Sequence, residues 1–121
     1  MGKKNVMAEL KPLFEYWSYM VAGLGWKLSV VYHDSYEDMP EGTSTTAVAY
    51  TTCEFKYLDA VIHVNLRLAK DLKKDDLVYV VIHELVHLLV SPLVESSEVT
   101  PHEYTVTTIA RIIQGLGRKN D

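Results

Sequence analysis

The sequence contains a single cysteine, Cys53, among its 121 residues, so no disulfide can form within the chain. Stability has to come from a hydrophobic core, and a chain of this length can bury about two thirds of its unfolded surface. The shortage of cysteine is typical of a reducing compartment. The N-terminus, Met-Gly-Lys-Lys-Asn-Val, also lacks an apolar signal core. Together these features predict a cytoplasmic protein.

Long apolar runs and long basic runs are absent as well. No apolar stretch reaches the length of about 18 residues that a membrane-spanning helix needs, so we expect no membrane association. Basic residues form no run longer than a pair and the formal net charge is −4, which argues against a nucleic-acid partner. Apolar residues make up 48% and charged residues 23%, the balance of a globular protein. Without internal repeats or low-complexity segments, residues 1–121 are predicted to form a single domain.

The order of apolar patterns predicts an α+β domain. It would have an N-terminal helix, a small three-stranded sheet, an active-site helix and a C-terminal helix. Pro12 is expected to bend the first helix or mark its start, and Ser91-Pro92 to end the active-site helix. The predicted helices are Asn5–Ala22, Asp75 or Asp76 to Val90, and Thr100 to about Gln114; the predicted strands are Trp26–Tyr32, Thr46–Phe55 and Leu58–Leu66, with a solvent loop over His33–Thr45.

The predicted active-site helix contains the sequence His-Glu-x-x-His at residues 83–87. Residues four apart lie on one helical face, so the imidazoles of His83 and His87 can both bind one tetrahedral Zn²⁺. Glu84 is rotated by about 100° from His83 and can reach a zinc-activated water without being a ligand. A chance match in so short a chain is rare, and burying these three polar side chains in an apolar helix is costly unless they have partners. We therefore predict a zinc site with Glu84 as general base.

A catalytic zinc needs a third protein ligand. The metzincin extension is absent, because Val90 and Leu93 stand where glycine and histidine would be required. The third ligand is therefore expected from later acidic residues or a histidine, and the candidates are Glu95, Glu98, His102 and Glu103.

Glu103 also has a purely structural interpretation. Thr100-Pro101-His102-Glu103 has the sequence of a capping box, in which the glutamate only holds the helix end. The apolar stripe of the last helix passes nearer His102 than Glu103 on the helical wheel. If His102 is not the ligand, it could instead donate a hydrogen bond to an oxyanion.

The segments HELVHLLVSPL, from His83, and HEYTVTTIARII, from His102, resemble the small zincin-like metallopeptidases of phages and bacteria, which are similar to minimal gluzincins. The resemblance covers roughly two thirds of the chain. It implies a zincin-like fold, Zn²⁺ as cofactor and a peptide or protein as substrate. It also implies that Glu103 is the third zinc ligand, and that an antiparallel edge strand, here Leu58–Leu66, receives the substrate.

Three functions are consistent with this sequence. The first is a zinc-dependent metallopeptidase that hydrolyses peptide bonds with Glu84 as general base. The alternative is a zinc-stabilised binding or regulatory domain with little or no peptidase activity. The third is a structural protein that has kept the scaffold without needing zinc. His63 is a weaker candidate for a residue of the substrate cleft.

Overall fold

The computed structural model describes residues 5–54, 57–95 and 102–119, and the side chains of residues 5–54, 57–90 and 106–116. The N-terminal segment forms two consecutive helices, α1 (Val6–Trp17) and α2 (Tyr19–Ala22). Asn5 caps α1, because its side chain accepts a hydrogen bond of 3.1 Å from the backbone N–H of Ala8. Pro12 lies inside α1 and does not mark its start.

The sheet has three strands, β1 (Lys27–His33), β2 (Ala49–Glu54) and β3 (Asp59–Asn65), in the order β1-β3-β2. β1 pairs with β3 in parallel, and β2 pairs with β3 antiparallel, so the sheet is mixed. The predicted α+β class and the three-stranded sheet are confirmed.

The prediction that the strand over 58–66 lies at the sheet edge is wrong, because β3 is the central strand. Residues along β3 alternate between the two faces of the sheet, and the helices cover one of these faces, where Ile62 and Val64 are fully buried. A central strand in a sheet covered on one face alternates just as an edge strand does. The antiparallel edge strand is β2.

The C-terminal half begins with a short helix, α3 (Leu66–Ala69), which the sequence pattern did not predict and which Asn65 caps. Helix α4 spans Lys74–Glu95, and helix α5 spans His102–Lys119. The predicted stop at Ser91-Pro92 is wrong, since α4 continues through it. A proline removes one backbone hydrogen bond but its φ angle is compatible with a helix. The predicted end of the last helix near Gln114 is also too early. Among the described residues no helix is both long and apolar enough to cross a bilayer.

The loop between β1 and β2 is more ordered than a solvent loop. It contains a short 3₁₀ helix, Tyr36–Asp38, and buries Met39 and Thr43. The hydroxyl of Thr43 donates a hydrogen bond of 2.6 Å to the carbonyl oxygen of Pro40. This part of the predicted solvent loop is therefore held against the domain.

Helix α4 is shared by the two hydrophobic clusters of the core. One cluster joins α4 to α1 and to the covered face of the sheet, and it includes Leu10, Ile62, Val81 and Leu85. The other joins α4 to α5 and is built from Ile82, Val86, Val90, Val106 and Ala110. The position of α4 is thus fixed from two sides.

Replacing Leu10 by alanine should lower the free energy of unfolding by about 2–5 kcal/mol, because a fully buried leucine is lost and a cavity remains. The matched control is Leu24→Ala, at a leucine that is 59% exposed, which should change stability by less than about 0.5 kcal/mol. Urea unfolding followed by circular dichroism measures both. Equal effects of the two variants would contradict the position of α1 in the core.

Candidate metal and catalytic site

Helix α4 places His83 and His87 one turn apart on the same face. Their ring centroids are 4.9 Å apart, and the two ring planes make an angle of 28°. Each of His83, Glu84 and His87 offers a ligand atom within 4.8 Å of the others, and this is the one such group found among the described residues. The structure therefore brings together the three residues that the sequence motif singled out.

The carboxylate of Glu84 is buried, with 6% of the residue exposed. Its Oε1 accepts a hydrogen bond of 2.7 Å from the hydroxyl of Thr51 in β2, and its Oε2 lies 4.0 Å from Nδ1 of His83. A hydrogen bond to an ionised carboxylate is stronger than one between neutral groups and offsets part of the cost of burial. Sequence reasoning missed Thr51, because it is 33 residues away from Glu84 and no local pattern indicates the contact.

These side chains lie in a cleft of about 640 Å³ between α4 and the edge strand β2. Val80, His83, Glu84 and His87 form the α4 side of the cleft. The opposite side is built from β2 and the loop before it, where the lining residues are small or of medium size: Gly42, Ser44, Ala47, Val48, Ala49, Thr51 and Cys53, with Tyr50 as the one large side chain. Apart from the motif residues, the described lining carries no formal charge.

Cys53 packs against the core cluster and also lines this cleft. Phe14 and Trp26 are buried core residues. Trp17 is half-buried and packs against both clusters.

A second pair of side chains continues the line of rings along α4. The ring of Tyr79 lies 5.5 Å from that of His83, and the guanidinium carbon of Arg111 in α5 lies 4.6 Å from the centroid of the Tyr79 ring. Stacking of a cation on an aromatic ring is attractive. Tyr79 stands four residues before His83, so the helical period could have indicated this neighbour, whereas Arg111 could not be found without the packing of α5.

Helices α4 and α5 run antiparallel, and their register is given by two contacts. Gln114 donates a hydrogen bond of 2.8 Å to the carbonyl oxygen of Asp75, and Arg111 covers Tyr79. Because both helices rise by the same amount per residue, counting eight residues from the Tyr79–Arg111 contact sets position 103 level with His87. Counting twelve residues from the Asp75–Gln114 contact sets position 102 level with it. Positions 102 and 103, at the start of α5, are therefore level with His87.

Glu95 ends α4, and His102 and Glu103 begin α5, but their side chains lie outside the described part of the structure. Glu98 and the Thr100-Pro101 portion of the predicted capping box lie outside the described residues altogether.

The donor set fits zinc better than a harder cation. Imidazole nitrogens are preferred ligands of Zn²⁺, whereas Mg²⁺ and Ca²⁺ prefer sites made of oxygen atoms. Two imidazoles one helical turn apart suit tetrahedral coordination. His83, His87 and one further ligand would hold the ion with three protein ligands, the number typical of catalytic zinc sites.

His63 is not among the residues that line the cleft. It lies on the face of the sheet opposite α4, and its Nδ1 is 2.9 Å from Nε2 of His33, so that one ring donates its hydrogen to the other. The two ring planes differ by 14°. Burial, and then the nearby charge of His33, lower the pKa of His63 below its ordinary value.

This pKa shift predicts that the protein loses stability as the pH falls. Because the folded state binds a proton at His63 less readily than the unfolded chain, the loss begins near the unfolded pKa of about 6.5 and continues down to the folded pKa. His63→Gln should make the urea midpoint less dependent on pH between about pH 7 and pH 5. Equal pH dependence in variant and wild type would show that His63 does not contribute.

Comparison with known proteins adds no family assignment. No family model matches the chain, and neither the curated protein sequences nor the solved structures give a match. The function has to be argued from the site itself.

Proposed function

We propose that this protein is a zinc-dependent metallopeptidase with a zincin-like fold, in which His83, His87 and Glu103 bind Zn²⁺ and Glu84 is the general base. The observation that carries the proposal is the convergence of two histidines and a buried glutamate in one cleft, directly beside the antiparallel edge strand β2. The five-residue motif alone does not imply that these side chains lie beside β2.

In this proposal the reaction is the hydrolysis of a peptide bond. Zinc, when bound, would act as a Lewis acid towards the peptide carbonyl and would lower the pKa of a water molecule to about 7. Glu84 accepts a proton from the attacking water and later gives it to the nitrogen of the leaving amine as the carbon–nitrogen bond breaks. His83 and His87 would act as neutral ligands, and the hydrogen bond from Thr51 holds the buried carboxylate of Glu84 at the cleft.

The proposed substrate is a peptide or a protein segment in extended conformation. Within the described residues β2 has a strand neighbour on one side only, so its other edge can offer backbone hydrogen bonds to an added strand. The cleft has room for such a segment, and its β2 side carries no formal charge and mostly small or medium-sized residues. The proposal includes no nucleic-acid or membrane partner.

The register of the last two helices suits a third ligand from the start of α5. Positions 102 and 103 both begin at the right height along α4 to reach the same metal ion, and the resemblance to zincin-like metallopeptidases favours Glu103. His102 precedes it by about 100° of helical rotation and remains the alternative ligand.

The first prediction from the proposed function is that protein purified without a metal-binding tag contains about one zinc per chain by elemental analysis. His87→Ala should abolish binding. Glu103→Ala should weaken zinc binding, because each protein ligand contributes strongly to the affinity for the metal. Competition with a chromophoric chelator measures that affinity.

His102→Ala is the matched control, because it changes the neighbouring residue of the same helical turn. It should retain wild-type zinc. Full zinc in Glu103→Ala together with loss in His102→Ala would assign the third ligand to His102. A wild type that binds no zinc even after the metal is added would reject the proposed function.

The second prediction concerns catalysis. Glu84→Gln should keep zinc but lower the rate of peptide cleavage by about 10²–10⁴-fold, because the proton acceptor is lost while the shape of the side chain is kept. The rate is measured by incubating the zinc-loaded protein with a library of quenched fluorescent peptides and following the rise in fluorescence.

Glu15→Gln, at an exposed glutamate of α1, is the control and should cleave as the wild type does. Undiminished cleavage by Glu84→Gln would contradict the mechanism. Zinc binding without cleavage of any peptide would instead favour the zinc-stabilised binding or regulatory domain.

A further inference from the structure

The contact between Thr51 and Glu84 assigns a role to a residue outside the zinc motif. We infer that Thr51 is a positioning residue, which orients the carboxylate of the general base and connects it to the strand that receives the substrate. This inference rests on the proposed function. It starts from the hydrogen bond of 2.7 Å that the Thr51 hydroxyl donates to Oε1 of Glu84.

The sheet register explains why Thr51 faces the helix. Thr51 pairs with Ile62 across the antiparallel ladder, and directly opposite residues point to the same face of a sheet. Ile62 is fully buried in the cluster that includes residues of α4. The hydroxyl of Thr51 is therefore directed at α4, next to a carboxylate that is itself buried.

The hydrogen bond distinguishes the two oxygens of Glu84. The terminal torsion of a glutamate is broad and roughly two-fold, so the carboxylate alone does not select which oxygen points where. Thr51 is β-branched and stiff at χ1, and a hydroxyl has a single hydrogen to donate. Holding Oε1 from β2 leaves Oε2, which lies 4.0 Å from the His83 ring, as the oxygen placed on the side of the metal ligands.

A positioning role has a specific kinetic consequence. A carboxylate whose rotation is fixed before the substrate binds needs no rearrangement during proton transfer, and misplacement of a reacting group by about 1 Å can cost about 100-fold in rate. Loss of the hydroxyl should therefore lower kcat and leave KM and zinc content unchanged. A residue that only stabilises the fold would not separate kcat from zinc content in this way.

The test compares Thr51→Val, Thr51→Ser and Thr52→Val in the zinc-loaded full chain, with the library peptide that the wild type cleaves fastest. Valine keeps the branched shape without the hydroxyl, and serine keeps the hydroxyl. Thr52 is the matched control, since it is the next residue of the same strand and pairs with Val61 on the opposite face. We expect kcat to fall about 10- to 100-fold in Thr51→Val. It should recover to within a few-fold in Thr51→Ser and stay at the wild-type value in Thr52→Val.

A double-mutant cycle tests the same contact without any measurement of activity. Thr51→Val should lower the urea midpoint of the metal-free protein in the wild-type background, because a buried carboxylate loses a donor. The same change should have little effect in a Glu84→Ala background, so that the two changes are not additive. Thr52→Val should have the same effect in both backgrounds.

Several results would overturn the inference. An unchanged kcat in Thr51→Val, a raised KM with unchanged kcat, or failure of serine to restore kcat would each exclude a positioning role. Additive effects in the cycle would show that Thr51 and Glu84 are not coupled. A wild type that cleaves no peptide would reject the proposed function together with this catalytic role, and the cycle would still decide whether the coupling itself exists.

Discussion

Helix α4 has to satisfy three environments around its circumference, and this constraint organises the rest of the structure. One sector, with Val81 and Leu85, packs against the sheet and α1, and a second, with Ile82 and Val86, packs against α5. Such a helix is apolar over most of its surface, which a simple amphipathic pattern does not describe. The sector that remains carries the polar motif. Packing on two sides therefore fixes the direction in which His83, Glu84 and His87 can point.

The strand topology brings the opposite wall of the cleft to that polar sector. β1 and β3 are parallel neighbours, so the chain cannot join them by a tight turn. It leaves the end of β1, crosses the carboxyl end of β3 and enters β2 on the other edge of the sheet. The backbone N–H of Asn65 donates to the carbonyl oxygen of Val48 at 2.8 Å and holds the end of this crossing. The crossing loop and β2 then lie where the motif residues emerge from α4.

The sequence predicts the local parts of this site well and the long-range parts poorly. The helical period places His83 and His87 on one face, and the structure confirms that geometry. The resemblance implied an edge strand over residues 58–66, but alternation along that segment reports only which face is buried, and strand order depends on pairing between distant segments. For the same reason the partner of Glu84 could not be foreseen. Pro92 shows the opposite case, in which a strong local stop signal does not end the helix, since α4 continues to Glu95.

The burial of Glu84 distinguishes a site from a core. A hydrophobic side chain of similar size on α4 would complete the core at lower cost, since a buried carboxylate needs donors to offset its desolvation. The fold instead supplies a threonine from a strand that packs on this helix, and the imidazoles of His83 and His87 stand on either side of Glu84 in the sequence and line the same cleft. Local choices that oppose stability are expected where a protein performs chemistry. In the described part of the chain they coincide at one cleft, beside the edge strand β2, and this coincidence makes the cleft the place to look for function.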